Sequence, residues 1–123
     1  MATILITGAN RGIGLEFTKQ YLARGESVVA TCRDMAAASE LQALAAQHNQ
    51  LTILNLDVSN AASLSGFAAQ LGQMPIDIFV NNAGIYGPRS GFGNLDDKSW
   101  AEVFQVNSSA PLILTQMVIN NLR

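Results

Sequence analysis

The sequence predicts an α/β domain, a parallel sheet with helices on both faces. Three observations carry that expectation. Short apolar runs alternate with longer segments whose apolar residues recur at helical spacing, and such alternation builds parallel sheets with right-handed crossovers. The first run, Ile4-Leu5-Ile6, is apolar at every position, as in a strand buried on both faces. That run opens into a turn carrying Gly8, Gly12 and Gly14, and an amphipathic segment begins at once from Ile13. With 123 residues, 49% of them hydrophobic and 13% charged, the chain can bury one core and makes one domain at most.

The elements follow in order. A first strand is expected over Thr3–Thr7, and Gly8 permits the sharp turn with φ > 0 that must follow it. A first helix covers Gly12–Ala23, with Ile13, Phe17 and Tyr21 at i, i+4 and i+8 as its apolar stripe and Gly25 as its stop. The second strand, Ser27–Cys32, carries Val28, Val29 and Ala30. The second helix spans Ala36–His48 and buries Leu41, Leu44 and Ala45. The third strand is Leu51–Leu56. After Asp57-Val58-Ser59, Ser59 or Asn60 caps a third helix with Leu64, Phe67, Ala68 and Leu71 at helical spacing, which Pro75 breaks. The fourth strand is Ile76–Val80, and a glycine-rich loop occupies Gly84–Asn94. A last helical region runs from Asp97 to the end and bends near Asn107, because Pro111 fits only near a helix start or at a kink.

Composition narrows the function. A formal net charge of −2 gives no broad attraction for nucleic acid. One cysteine forms no internal disulfide and fits a reducing compartment. Neither a basic leader with a long apolar run nor a stretch of roughly 18 apolar residues is present, so a soluble cytoplasmic protein off the membrane is expected. His48 stands alone, with no cluster around it to make a metal site, and Cys32 suits a small strand-end side chain with no redox role.

The glycine turn points to a ligand. Gly12 has no Cβ, so backbone N–H groups can approach a bound group closely, and Gly14 lets the helix pack against the strand. The helix start then offers N–H groups and partial positive charge, which suits a pyrophosphate. The spacing is G-x-x-x-G-x-G rather than the dinucleotide G-x-G-x-x-G, and no Gly-Lys-Ser/Thr follows, so a P-loop is excluded. On these residues alone, a tight turn without a ligand stands as the alternative.

Thr7-Gly8-Ala9-Asn10-Arg11-Gly12-Ile13-Gly14 resembles the cofactor motif of the classical short-chain dehydrogenases/reductases. Asn81-Asn82-Ala83-Gly84 is similar to that family's second motif, and Asn107 stands where the family has its structural and catalytic asparagine. Gly12-Ile13-Gly14-Leu15-Glu16-Phe17 and Thr31-Cys32-Arg33 resemble the carbonyl-reductase-like sniffer and C-factor group. The resemblance covers essentially all 123 residues, yet only about the first half of the family's doubly wound, Rossmann-type domain. It implies strand order 3-2-1-4, a ligand crevice between strands one and four, and residues 1–123 as a truncated NAD(P)-binding half.

The resemblance also implies NADP-dependent reduction of a small carbonyl substrate, with Gly8, Asn10, Arg11, Gly12, Ile13 and Gly14 at the cofactor. Where an acidic residue would bind the ribose of NAD, this chain has Cys32, and Arg33 follows. An arginine there holds a 2′-phosphate by a charge-assisted contact, and Arg11 reaches the same group, so NADP is expected over NAD. Asp34 competes, being able to bind a ribose, and both arginines also read as solvated surface charges. Asp57 is implied at the adenine edge with Val58 against the ring, although Asp57 equally suits a turn or a helix cap. Ala83 and Gly84 leave room for a ribose, and Asn81 ties neighbouring strands together. Asn107 holds a water in the proton relay, or is an asparagine tolerated at a kink.

The family's proton donor is a tyrosine whose free pKa, near ~10, is lowered by a lysine in Tyr-x-x-x-Lys. Four residues after Tyr21 is Gly25, four after Tyr86 is Ser90, and the lysines are Lys19 and Lys98. That pair is not among these residues, so the chain by itself is expected to be inactive, with Tyr86 near a substrate entrance. A non-catalytic nucleotide-binding module, or an inactive fragment needing a partner chain, are the alternatives. Leu112, Ile113, Leu114, Met117, Val118, Ile119 and Leu122 wrap most of the last helix, which should therefore be buried. The fourth strand is left as an edge, and self-association or a partner chain is expected.

Overall fold

Strands and helices alternate along the chain, as the period of the apolar residues demands. The computed structural model describes residues 1–84 and 96–123. The strands are β1 (Thr3–Ile6), β2 (Ser27–Cys32), β3 (Leu51–Asn55) and β4 (Ile78–Val80). The helices are α1 (Gly12–Ala23), α2 (Ser39–Gln47), α3 (Ala61–Leu71), α4 (Asp97–Phe104) and α5 (Ala110–Val118). All strands are parallel, in the order β3-β2-β1-β4. The glycine-rich loop expected over Gly84–Asn94, with Tyr86, lies outside the described residues apart from Gly84.

Successive strand residues point to opposite faces, so each apolar run feeds two cores. Ile4, Ile6, Val28 and Ala30 pack with Leu15 and Leu22 of α1 and Leu41 of α2. Leu5 and Val29 pack on the other face with Leu64 and Phe67 of α3 and Leu114 and Val118 of α5. Burying each of the valine, leucine, isoleucine and phenylalanine side chains among them stabilises the fold by roughly 1.5–3 kcal/mol.

Several local expectations are corrected. Ile13, Phe17 and Tyr21 do not form the buried stripe of α1: Ile13 is 70% and Phe17 40% exposed, and the rings of Phe17 and Tyr21 stack at 6.4 Å between centroids. The adjacent face, Gly14, Leu15, Thr18 and Leu22, is buried instead. Thr18 fits there because its hydroxyl donates to the Gly14 carbonyl (2.9 Å) and leaves only its methyl to pack. The second helix starts at Ser39, because Asp34 caps a separate 3₁₀ turn over Met35–Ala37. Asn60, not Ser59, caps α3, accepting from the N–H groups of Ala62 and Ser63. The helix then ends on Gly72, at φ +59°, before Pro75 is reached.

The last helical region is one path with a π turn over Gln105–Ser109, where the Ala110 N–H bonds to the Gln105 carbonyl. Pro111 lacks the N–H that an α-helix would offer to the Asn107 carbonyl, so the turn widens as the sequence leads one to expect. This helix is buried on one face only. Ala110, Leu114 and Val118 are covered, but Leu112 (72%) and Ile119 (54%) are exposed in this chain.

At the amino ends of the strands the chain is latched. Ile76 lies outside β4 and bridges to Leu122: its N–H donates to the Asn121 carbonyl (2.7 Å), and the Arg123 N–H donates to the Ile76 carbonyl (3.1 Å). The Arg123 guanidinium grips the Asp77 carboxylate at 2.7 and 3.1 Å, and the Thr3 N–H donates to the same carboxylate at 2.8 Å. The Arg123 hydrogen bond, then the Thr3 N–H, hold the Asp77 carboxyl down at about 2, below its ordinary 3.8. A depressed carboxylate contributes stability that is whole above its unfolded pKa and lost as pH falls through the folded one. Asp77→Asn is therefore expected to be less stable than the parent near neutral pH and to converge with it toward about pH 2. Urea midpoints across that range check this, and a constant gap would contradict it.

Candidate functional site

The ends of β1 and β4 are joined by side chains as well as by the sheet. The Thr7 N–H donates to the Val80 carbonyl (3.1 Å), one step past the last residue of β1. The Thr7 side chain is fully buried, and its hydroxyl accepts from the N–H groups of Asn82 (2.9 Å) and Ala83 (3.0 Å). The Asn82 carboxamide returns two bonds, to the carbonyls of Thr7 (3.2 Å) and Gly8 (3.1 Å). The Ala9 N–H donates to the Thr31 carbonyl (2.9 Å) and ties the same turn to β2.

This junction dictates the glycines. Gly8 has φ +61°, and a Cβ there would stand 3.0 Å from Ala83 Cα. A Cβ on Gly14 would stand 2.3 Å from the Gly8 carbonyl oxygen and 2.6 Å from Asn82 Nδ2, so no side chain fits. Gly12 has φ +57° and faces open space, so its requirement is conformational. Asn10 is half-buried, whereas Arg11 and Ile13 are exposed.

Arg11 is the N-cap of α1, with extended backbone, no side-chain cap among the described residues and no acidic residue in the first turn. The starts of α2 and α5 likewise have no side-chain cap, whereas Asn60 caps α3, and Asp96 caps α4 by accepting from the Ser99 N–H (2.8 Å). The first-turn N–H groups of α1 and their partial positive charge thus open beside a cradle that only glycine can line. That donor set fits a pyrophosphate.

The other expected site residues lie around the same sheet end. Arg33, exposed, follows the buried Cys32. Burial, then the charge of Asp34, push the Cys32 thiol up, which keeps it protonated. Asp34 accepts from the Ala36 N–H (3.1 Å) as the cap of its 3₁₀ turn. Asp57 accepts from the N–H (3.0 Å) and hydroxyl (2.6 Å) of Ser59, so it does fill a turn role. Val58 is 9% exposed, and its side chain packs in the core on the α3 face.

The strand-tying role expected of Asn81 falls to its neighbour Asn82. Asn81 does not tie strand to strand: its Nδ2 donates to the Pro111 carbonyl (3.1 Å) and approaches Thr115 Oγ1 (3.5 Å), fastening β4 to α5. Asn82 makes the tie between strands, because neighbouring residues at a strand end point to opposite faces. Asn107, in the π turn, is brought to Gly84, where a Cβ would stand 3.2 Å from Asn107 Oδ1. Thr7 and Asn82 are the structural residues that sequence reasoning missed. The signal was a polar residue closing an otherwise apolar strand immediately before a glycine turn. Among the described residues, no group of three His, Cys, Asp or Glu could hold a metal ion.

A family model described as short chain dehydrogenase matches residues 2–123. The chain belongs to the short-chain dehydrogenase family. Among solved members of this oxidoreductase family, an NADPH-bound carbonyl reductase from chicken fatty liver superposes with a TM-score of 0.88 at 40% identity, covering 97% of this chain and 47% of that one. A carbonyl reductase from Pseudomonas aeruginosa PAO1 in complex with NADP gives 0.90 at 34% identity, covering 99% and 56%. The curated Retinol dehydrogenase 13 of Homo sapiens is 30% identical over 98% of this chain and 37% of its own length. The chain thus spans about half or less of these short-chain dehydrogenases.

The Thr7 junction yields a sharp expectation. Thr7→Val keeps the shape but leaves two part-buried N–H groups without their acceptor, at a cost of about 2 kcal/mol. Thr7→Ser keeps the acceptor and is expected to cost less than about half of that. Urea denaturation of both variants checks this, and equal losses would contradict it.

Proposed function

We propose that these residues form the NADP(H)-holding half of a short-chain carbonyl reductase. The observation that carries this reading is the uncapped start of α1, set against Gly8 and Ala83 where the strand order reverses. Gly8, Asn10, Arg11, Gly12, Ile13 and Gly14 hold the pyrophosphate side. Arg33 and Arg11 take the 2′-phosphate, since no acidic residue ends β2 and both guanidinium groups are exposed. Asp57 contacts the adenine edge and Val58 packs against the ring. Ala83 and Gly84 leave room for the ribose, and Asn81 braces that wall against α5. Asn107 holds a water beside Gly84. NADPH, when bound, supplies the hydride that reduces a small carbonyl compound.

The sequence favours a second statement about these residues alone. With no Tyr-x-x-x-Lys among them, they bind cofactor without turnover until a chain carrying that pair completes the site. Exposed Trp100, Phe104, Leu112 and Ile119 support self-association or such a partner. No helix among the described residues is long and apolar enough to cross a membrane, and the free, buried Cys32 is compatible with a reducing cytoplasm.

Arg33→Asp tests the assignment. It removes one charge-assisted contact and adds repulsion, so NADPH affinity is expected to fall at least about tenfold while NADH affinity changes little. Isothermal calorimetry with both nucleotides measures this, and an equal loss for the two would sink the role of Arg33.

A further inference from the structure

Arg33 has an exposed side chain, yet its backbone is held from both sides. At the last rung between β2 and β3, Cys32 lies opposite Asn55, and the Leu56 N–H donates to the Cys32 carbonyl (2.9 Å). One step further the strands part, and the Asn55 side chain takes over. Its Nδ2 donates to the Arg33 carbonyl at 2.9 Å and lies 3.4 Å from the Cys32 carbonyl. On the other side of Arg33, the Asp34 carboxylate accepts from the Ala36 N–H, and the Asp34 carbonyl accepts from the Ala37 N–H (3.2 Å). Asparagine is depleted in strands, so its presence as the last residue of β3 calls for a reason. The cross-strand bond to Arg33 supplies one.

We propose that Asn55 is a positioning residue for cofactor choice, fixing the Arg33 peptide so that the guanidinium is aimed at the 2′-phosphate. This rests on the reading of Arg33 given above. An arginine side chain loses much rotamer freedom when it binds, and an anchored peptide removes the backbone share of that cost before the ligand arrives. The effect acts on the phosphate-bearing cofactor alone, because NADH offers Arg33 nothing to hold.

Asn55→Ala, Arg33→Ala and the double variant, titrated with NADPH and NADH by calorimetry, form a cycle that tests this. Asn55→Ala is expected to lower the NADPH-over-NADH preference about fivefold, the worth of one net hydrogen bond, with NADH affinity unchanged. In the Arg33→Ala background the same substitution is expected to leave the preference where it stands. Asn55→Leu, similar in shape but without the donor, is expected to repeat the shift should the alanine variant not fold. An undiminished preference, a loss shared equally by both nucleotides, or an unchanged effect in the Arg33→Ala background would overturn the inference while leaving the cofactor reading intact. A parent chain that binds both nucleotides equally would overturn the cofactor reading, and this inference with it.

Discussion

The buried Thr7 hydroxyl is the interaction on which the rest of the site depends. It accepts from two successive N–H groups at the end of β4, and Asn82 answers with two bonds to the end of β1. In that arrangement the two strands between which a doubly wound sheet binds its ligand end at one fixed separation. Every close approach around it follows. The Gly8 carbonyl and the Asn82 amide fill the space where Gly14 would carry a side chain, so the third residue of α1 must be glycine. Its first-turn N–H groups are thereby aimed and held by contacts that need no ligand to form, which is what pre-organisation for an anion requires.

The sheet ends differ in kind. The amino ends are closed by charge and backbone pairing: Asp77, Arg123, Asn121 and Ile76 bind one another and the first residues of β1. The carboxyl ends carry Gly8, Ala83 and Gly84, with exposed Arg33 just beyond β2. The latch closes one end of the sheet and the Thr7–Asn82 junction ties β1 to β4 at the other. The apolar residues left outside, on α1 and along α4 and α5, are surface that this length of chain does not cover.

The strands and the glycine turn were legible in the sequence because each rests on a local pattern, an unbroken apolar run or a glycine where φ must be positive, whereas the strand order came from the family resemblance alone. Choices between adjacent candidates were not legible. Helix α1 carries two neighbouring stripes, and hydrophobicity favoured Ile13, Phe17 and Tyr21. Packing chose Gly14 and Thr18, small enough to bring the helix against the sheet. Pro75 looked like the stop of α3, but Gly72 reaches a left-handed backbone first. Asn81 and Asn82 are chemically identical, and only the pleat decides which faces β1 and which faces α5. Asn55 and Thr7 act through single bonds across strands, and no periodicity reports such a bond.

Amide chemical-shift mapping by NMR with NADPH added to the 123-residue chain tests the central claim most directly. Shifts confined to the proposed cofactor residues, Gly8, Asn10, Arg11, Gly12, Ile13, Gly14, Arg33, Asp57, Val58, Asn81, Ala83, Gly84 and Asn107, and their immediate neighbours, with Asp77, Asn121 and Arg123 unmoved, are the predicted result. Shifts centred on the Asp77–Arg123 end, or none at saturating nucleotide, would show that the carboxyl ends of β1, β2 and β4 do not form the binding site.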